Sequence, residues 1–486
     1  MLRGQYMTPY EVAELMAGLI NITADEIRIL EPGAGIGSLI AAAVEFFAAK
    51  PTPPRVIKVT AYEREPILAM HLEITLRQCA IYAKAAGIHF ESQLIRGDFI
   101  KRASRTLDVK RPEYKAPDEH YNLILTNPPY RKLRSDSLHA RLLRRQSISA
   151  TNLYTAFVSL AIRLARPGAE IIALIPRSFC NGPFFRGFRK LLLRDTAICR
   201  LHVFESRSSV FKADSVLQEN VILKAVRSAD QGDVVVSCAN GSPGSISSEE
   251  SMHKSLLIWE DDPGEFIHIV LGAEDKSLIA LMRRLPTTLA DLGVEVSTGR
   301  VVDFRALDHL RRLASPHTAP LIYPGDLVAG HVVWPHQTRK PNSVALNEVT
   351  KKKLLLPSGN YVLVKRFTAK EERRRVVAAV YNPDLVLGAE SPWVGFENHL
   401  NYYHSAGAGI SAQLAYGLMA YLNTSLVDRY SRLYSGHTQV NVTDLRSLRY
   451  PTLAQLLTLG SVANGGLPEQ HVLDQALGRV LESPSL

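Results

Sequence analysis

Four stretches within the first 130 residues carry side chains of a type and spacing suited to chemistry. Glu31-Pro32-Gly33-Ala34-Gly35-Ile36-Gly37-Ser38 follows the apolar run EIRIL. A glycine turn at that place lets backbone approach a ligand while a helix N-terminus opens behind it, so a nucleotide-like guest fits. A phosphate loop is excluded, because no lysine follows the glycines and their spacing is GxGxG. Glu31 at the strand end is placed to meet a cationic ligand; a tight turn with no ligand is the plain alternative. Tyr62-Glu63 closes a second apolar run and sets a carboxylate where α/β folds hold ribose hydroxyls, of a dinucleotide or of S-adenosylmethionine alike, unless it is simply a solvated acid. In Gly97-Asp98-Phe99 an acid that can accept from an adenine amino group adjoins a ring that can pack on the base, although an ordinary aspartate turn reads the same way. Asn127-Pro128-Pro129-Tyr130 then ends the apolar run YNLILT. An exocyclic aromatic amine is a poor nucleophile because its lone pair is delocalised into the ring. Two fixed acceptors on its N–H groups localise that pair, and the Asn127 side-chain oxygen and the Pro128 carbonyl can supply them, with the proline pair stiffening the chain. Tyr130 offers a face on which a base can stack. Attack on a sulfonium methyl needs no Ser/His or Cys/His base, and none is evident.

These residues require a scaffold that brings strand ends together. Residues 8–20 read as a helix with Thr8 as N-cap, Pro9 in the first turn and Glu11 completing a capping box. Strands and helices then alternate: EIRILEP, a helix over 39–47, RVIKVTAYE, a long helix over 66–86, a strand over 90–96, YNLILT, the helix NLYTAFVSLAIRLA, and EIIALIP. Such alternation predicts an α/β, doubly wound sheet. Near residue 226 the texture changes to the Gly-, Ser- and Asp-rich stretch RSADQGDVVVSCANGSPGSISSEESMHKS. A domain junction is placed there, giving residues 1–230 and a mixed α+β second domain over 231–486 with no repeat.

Composition narrows the class. The chain has 486 residues, 46% hydrophobic and 21% charged, enough for two or three folded domains and against general disorder. No apolar run approaches the roughly 18 to 20 residues that span a bilayer, so no membrane role is expected. The start MLRGQYMTPYEVAEL is unlike a secretion signal, which points to the cytosol. Cys79, Cys180, Cys199 and Cys238 lie far apart with no metal-ligand spacing, so no metal is expected. The net charge of +10 favours a polyanionic partner.

Taken in order, MTPYEVAELM, LEPGAGIGSL, AYERE, GDF, NPPY and NLYTAFVSLAIRLARPGAEIIALIPRSF resemble the gamma class of adenine-N6 DNA methyltransferases, the TaqI-like family of type II restriction-modification systems. GNYVLVKRFTAKEERRRVVAAV, VGFENHLNYYH and SGHTQVNVTDLRSLRYP look like segments of that family's target-recognition regions. The resemblance implies a Rossmann-like catalytic domain using S-adenosylmethionine, followed by a domain that reads DNA. It implies that Thr8, Glu31, Pro32, Gly33, Gly35, Glu63, Asp98 and Phe99 line the cofactor pocket and that Asn127, Pro128, Pro129 and Tyr130 form the catalytic motif. Phe211, in SSVFKADS, matches by order the ring on the far side of a flipped-out adenine, with Phe204 only seven residues away.

On the DNA side, RKLRSDSLHARLLRR follows the tetrapeptide and carries Arg131, Lys132, Arg134, Arg141, Arg144 and Arg145 against one acid, Asp136, a balance suited to phosphates or to a solvated amphipathic helix. Lys365 and Arg366 are further phosphate candidates, and His437, Gln439 and Asn441 can read base edges or phosphates, His437 equally well serving as a structural turn. The expected partner is double-stranded DNA in a prokaryotic cytosol, with a cognate restriction endonuclease that shares the site without necessarily forming a complex. Glutamine methyltransferases of release factors and RNA adenine methyltransferases share the NPPY motif and stand as alternatives, but they usually lack a second domain of about 240 residues. Cytosine-C5 chemistry is excluded because no cysteine follows a proline.

Overall fold

A computed structural model describes residues 7–108, 121–204, 219–239, 244–259, 261–262, 264–335, 339–368, 373–386, 391–434 and 439–482. The chain forms two compact units, Met1–Gly272 and Ala273–Leu486.

In the first unit the elements run α1 (Tyr10–Gly18), β1 (Glu26–Glu31), α2 (Ser38–Ala48), β2 (Val56–Glu63), α3 (Pro66–Ala85), β3 (His89–Arg96), α4 (Phe99–Thr106) and β4 (Tyr121–Thr126). They continue with α5 (Leu138–Arg145), α6 (Leu153–Leu164), β5 (Ala165–Pro176), α7 (Arg186–Asp195), β6 (Thr196–Phe204), β7 (Asn220–Arg227), β8 (Val234–Ala239) and β9 (Ser248–Met252). The strands build one nine-stranded sheet in the order β3-β2-β1-β4-β5-β7-β6-β8-β9. β1 to β5 are parallel, and β7 is antiparallel to both neighbours. Every residue of β4 is buried, as a parallel strand covered on both faces requires, whereas β3 at the edge is mostly exposed. Because β1 pairs with β2 on one side and with β4 on the other, strand order reverses there, and the crevice beyond their carboxyl ends is where such sheets hold ligands.

Two sequence expectations change. The junction falls at Gly272 rather than 230, because the polar stretch after 226 belongs to the first unit: β8 pairs with β6 in parallel, and β9 pairs with β8, so both extend the first sheet. The first helix begins at Tyr10 with Pro9 in the cap position and no side-chain cap, so Thr8 is not the N-cap.

The second unit is built differently. It has a six-stranded sheet ordered Glu295–Thr298, Leu400–His404, Tyr361–Lys365, Ala378–Tyr381, His331–Val332, Leu327–Val328, and a five-stranded sheet of Leu310–Arg311, Ser343–Ala345, Thr318–Ile322, Trp393–Phe396, Leu355–Pro357. Tyr361, Tyr381, Phe396 and Tyr402 share one core, edge to face or tilted. Helices Ala412–Leu422 and Leu453–Ala463 follow. Among the described residues no helix is long and apolar enough to cross a membrane.

Candidate functional site

Apart from Thr8, which precedes α1, each predicted pocket residue sits at the carboxyl end of a strand or in the loop it feeds: Glu31 to Gly35 at β1, Glu63 at the end of β2, Asp98 and Phe99 after β3, Asn127 to Pro129 after β4. The parallel sheet thus gathers them around one cavity of about 280 Å³, whose wall includes Pro32, Gly33, Gly35, Glu63, Asp98, Phe99, Asn127 and Pro129. A side recess beside it is lined by Thr8, Glu31, Gly33, Gly35 and Asn127.

The glycine turn is shaped for this place. Gly35 and Gly37 have φ of +58° and +88°, the left-handed region in which a Cβ is strained, and a Cβ on Gly37 would lie 2.7 Å from Leu72. The turn is tied down by Ala34 N–H donating to the Tyr62 carbonyl at 2.8 Å and Gly35 N–H donating to Glu63 Oε2 at 2.9 Å. Glu63 Oε1 accepts from both Arg64 N–H and Glu65 N–H at 2.7 Å. Burial lifts the Glu63 carboxyl above its ordinary value, and the N–H bonds from Arg64 and Gly35 work against that lift. Oε1 thereby has both lone pairs engaged, while Oε2 retains capacity for one more donor.

Glu31 is in the opposite condition. It is 2% exposed, and burial, with the Glu63 charge beside it, holds its carboxyl well above the usual carboxylate range. The Ile40 N–H in the first turn of α2 works against that shift, and among the described residues Glu31 Oε2 has no hydrogen-bond partner. A buried carboxyl with an unmatched oxygen facing a recess is arranged for a cation or a donor that the protein does not itself provide.

At Asn127 the side-chain amide is held at both ends: Nδ2 donates to Thr8 Oγ1 at 3.1 Å, and Oδ1 accepts from the Tyr130 hydroxyl at 2.9 Å. The amide is thus held against two hydroxyls, one from the segment before α1 and one from its own loop, at the cavity wall. Thr8, read from sequence as a helix cap, is therefore used at the site. Tyr130 is buried, packs edge to face on Tyr154, and is not among the residues lining the cavity. Its hydroxyl lies 2.9 Å from Asn127 Oδ1 and 3.3 Å from the Leu174 carbonyl, and the residue is 7% exposed. Pro128 is likewise buried, while Pro129 reaches the wall.

Asp98 caps α4, its Oδ1 accepting Lys101 N–H at 3.0 Å, and its Oδ2 meets His139 Nε2 at 2.8 Å. Burial alone would raise the Asp98 carboxyl, but the bonds from His139 and Lys101 N–H bring it below its ordinary value. Phe99 is buried between Tyr62 and Phe157, with ring centroids 5.1 and 5.2 Å away. Phe157 and His139 both line the cavity and were missed in the sequence. Phe157 lies on α6 within an apolar helical stripe that reads as core, and His139 lies in the arginine-rich stretch that reads as surface.

Of the basic loop, Arg131 lines the cavity, Arg134 pairs with Asp136 at 2.9 Å, and Lys132 and Arg141 are exposed. Within the second unit the two separate basic and polar segments are brought together: Val440 N–H donates to the Arg366 carbonyl at 2.8 Å, and Phe367 bridges Gln439. Arg366 also donates to the Asn398 carbonyl, Lys365 ends its strand, and the Gln439 carbonyl accepts from Arg375. Asn441 is used locally, forming a capping box with Asp444 at the start of helix Val442–Arg446. Phe211 and His437 lie outside the described residues.

Residues 73–211 match the Eco57I restriction-modification methylase family. Over 484 residues the chain is 40% identical to the type II methyltransferase M.PstI of Providencia stuartii, covering 99% of this chain and 93% of that protein. It is 41% identical over 460 residues to the type II methyltransferase M.BsuBI of Bacillus subtilis, covering 94% and 89% respectively. Among solved structures, the type IIL restriction-modification enzyme MmeI in complex with DNA superposes with a TM-score of 0.54 at 11% identity, over 97% of this chain and 71% of that one. A DrdV–DNA complex gives 0.50 at 12% identity, over 94% and 56%. At such identities these two likenesses speak to the fold alone.

Proposed function

We propose, for a chain that belongs to the type II methyltransferases of restriction-modification systems, that it moves a methyl group from S-adenosylmethionine to N6 of a specific adenine in duplex DNA, with the target base turned out of the helix. The observation that carries this reading is the placement of Asn127, its amide hydrogen-bonded at both ends, on the same cavity wall as Glu63, Asp98 and the glycine turn.

The donor set suits the cofactor. Glu31, with its unmatched oxygen, faces the positive charge of the amino-acid part. Glu63 Oε2 has room for a ribose hydroxyl, and Asp98 with Phe99 and Phe157 takes the adenine. When bound, S-adenosylmethionine supplies a methyl activated by its sulfonium. The protein's part is to prepare the nucleophile: Asn127 Oδ1 and the Pro128 carbonyl accept the two N–H bonds of the target amine, which localises its lone pair toward the methyl. Both acceptors are held before the base arrives, so little reorganisation accompanies the reaction. Turning the base out costs a few kcal/mol of unstacking, which contacts with the rest of the duplex offset. Arg131, Lys132, Arg134 and Arg141 are assigned to phosphates near the cavity, and the second unit, through the region where Arg366 meets Gln439, to the target sequence.

The test is incubation with methyl-labelled S-adenosylmethionine and a random duplex library, followed by nucleoside digestion and sequencing of the modified positions. N6-methyladenine within one short sequence is expected. Label on cytosine, on RNA alone or on protein glutamine would overturn the assignment.

A further inference from the structure

His139 belongs to two structures at once. Its Nε2 lies 2.8 Å from Asp98 Oδ2 at the cavity wall, and its backbone is the second residue of α5, the helix from which Arg141, Arg144 and Arg145 project into solvent. An ionised carboxylate only accepts, so Nε2 carries the proton in this bond. Only Ala140 and Leu143 of α5 are buried, a small apolar anchor for a helix of eight residues. What fastens it to α4 is polar: His139 on the Asp98 cap at one end, and Gln146 Nε2 donating to the Ser104 carbonyl at 3.1 Å just beyond the other. Other charges close to Asp98 are Arg64, whose exposed guanidinium is 3.8 Å away, and Lys101. The cap carboxylate that faces the ligand space is therefore also the point that sets how the arginine helix is presented.

We propose that His139 is a positioning residue that couples occupancy of the cavity to duplex binding by the arginines of α5, an inference that rests on the methyltransferase reading. A ligand whose amino group donates to Asp98 adds a third donor to a carboxylate already holding Lys101 N–H and His139. The carboxylate loses rotational freedom, His139 and the start of α5 are held with it, and less ordering is left for phosphate binding to impose. By linkage the effect is reciprocal: duplex must tighten the cavity ligand by the same factor.

The experiment measures duplex affinity of the full chain with and without saturating S-adenosylhomocysteine, by fluorescence anisotropy at fixed salt. In the unaltered protein the ligand tightens duplex binding by about fivefold or more, the lower range of such couplings. In His139→Ala the factor falls close to one, and because it is the ratio of two affinities of the same variant it is read independently of any change in ligand-free duplex affinity. His139→Gln, which keeps an N–H donor, restores part of the factor. Gln146→Ala loosens α5 at its far end without touching Asp98, and is expected to keep most of it. An unchanged factor in His139→Ala overturns the inference, as does equal loss in Gln146→Ala, which would make the effect one of general loosening. Duplex and S-adenosylhomocysteine binding with no coupling in the unaltered protein overturns this inference and leaves the methyltransferase reading intact; failure to bind either overturns both.

Discussion

The cavity of the first unit and the Arg366–Gln439 region of the second both assemble polar groups from distant parts of the sequence, and they leave those groups in opposite states. Around the cavity the two carboxylates have capacity unspent: among the described residues Glu31 Oε2 has no partner, and Glu63 Oε2 accepts the Gly35 N–H alone. In the second unit much of the polar inventory serves the fold: Asn441 caps a helix, Arg366 holds the Asn398 carbonyl, and Arg375 binds Thr368, Asp428 and the Gln439 carbonyl. Since buried polar groups are nearly always satisfied, an unmatched carboxylate oxygen on a residue that lines a recess, as in Glu31, points to completion by a ligand, and chemical type alone does not. Asn127 and Asn441 are the same residue, and only their partners distinguish them.

The sharpest way to break this contrast is Asn127→Ala. It removes an acceptor at the reacting amine while leaving the cofactor side of the cavity in place, so methyl transfer should fall by roughly a hundredfold or more. Single-turnover rates, compared with S-adenosylhomocysteine affinity by calorimetry, separate the two effects. Near-normal turnover would remove Asn127 from the chemistry.

Glu63→Ala comes next. Its three N–H bonds make Glu63 a fastener of the glycine turn as well as a ligand group, which the sequence reading as a ribose acceptor did not include. Loss of a charged hydrogen bond to a hydroxyl costs roughly 1.5 to 3 kcal/mol of cofactor affinity. Unchanged affinity in a titration would show that neither role bears on binding.

What the sequence disclosed divides along the same line. Loops after parallel strands were legible because a continuous apolar run ends abruptly at the functional residue, as YNLILT does at Asn127, and the topology then dictates convergence. Thr8 was assigned to the pocket by the family resemblance but read locally as a cap, because a hydroxyl before a proline and a helix is a good cap signal; the fold shows it bonded instead to Asn127, 119 residues away. β8 and β9 were placed at a domain junction because two short strands separated by a Gly- and Ser-rich turn lack the period that reveals a helix. Phe157 and His139 carry no local signal at all: one hides in a core stripe, the other in a run of arginines.

Glu31 gives a pH dependence of smaller size. Free of ligand, burial and the Glu63 charge hold its carboxyl well above the usual carboxylate range; a cation placed opposite it would favour the charged form and bring it back down. Binding therefore releases up to one proton, and affinity for S-adenosylmethionine should rise with pH, by at most about tenfold per unit. The rise lies between the value of Glu31 with the cation present and its raised value in the free protein, and above the latter affinity is flat. Calorimetry in buffers of different ionisation enthalpy counts the protons. Glu31→Gln should flatten the curve, and a pH-independent affinity in the unaltered protein would mean that Glu31 does not meet the cation.

The smallest effect tests the other half of the contrast. If Asn441 serves its helix, Asn441→Ala should cost about 1 kcal/mol of stability, the usual worth of an N-cap, and weaken binding to cognate and scrambled duplexes little and alike. Gln439→Ala keeps the carbonyl that Arg375 holds and removes only a side chain from the seam where Arg366 meets Val440. If that seam reads bases, this change should act unevenly across target sequences, each lost base contact being worth roughly 1 to 3 kcal/mol of discrimination. Urea melts and duplex binding at several salt concentrations compare the two variants directly. Sequence-dependent loss in Asn441→Ala with full stability would reverse the assignment and place Asn441 at the bases, where a cap already satisfied within the chain leaves little for it to offer.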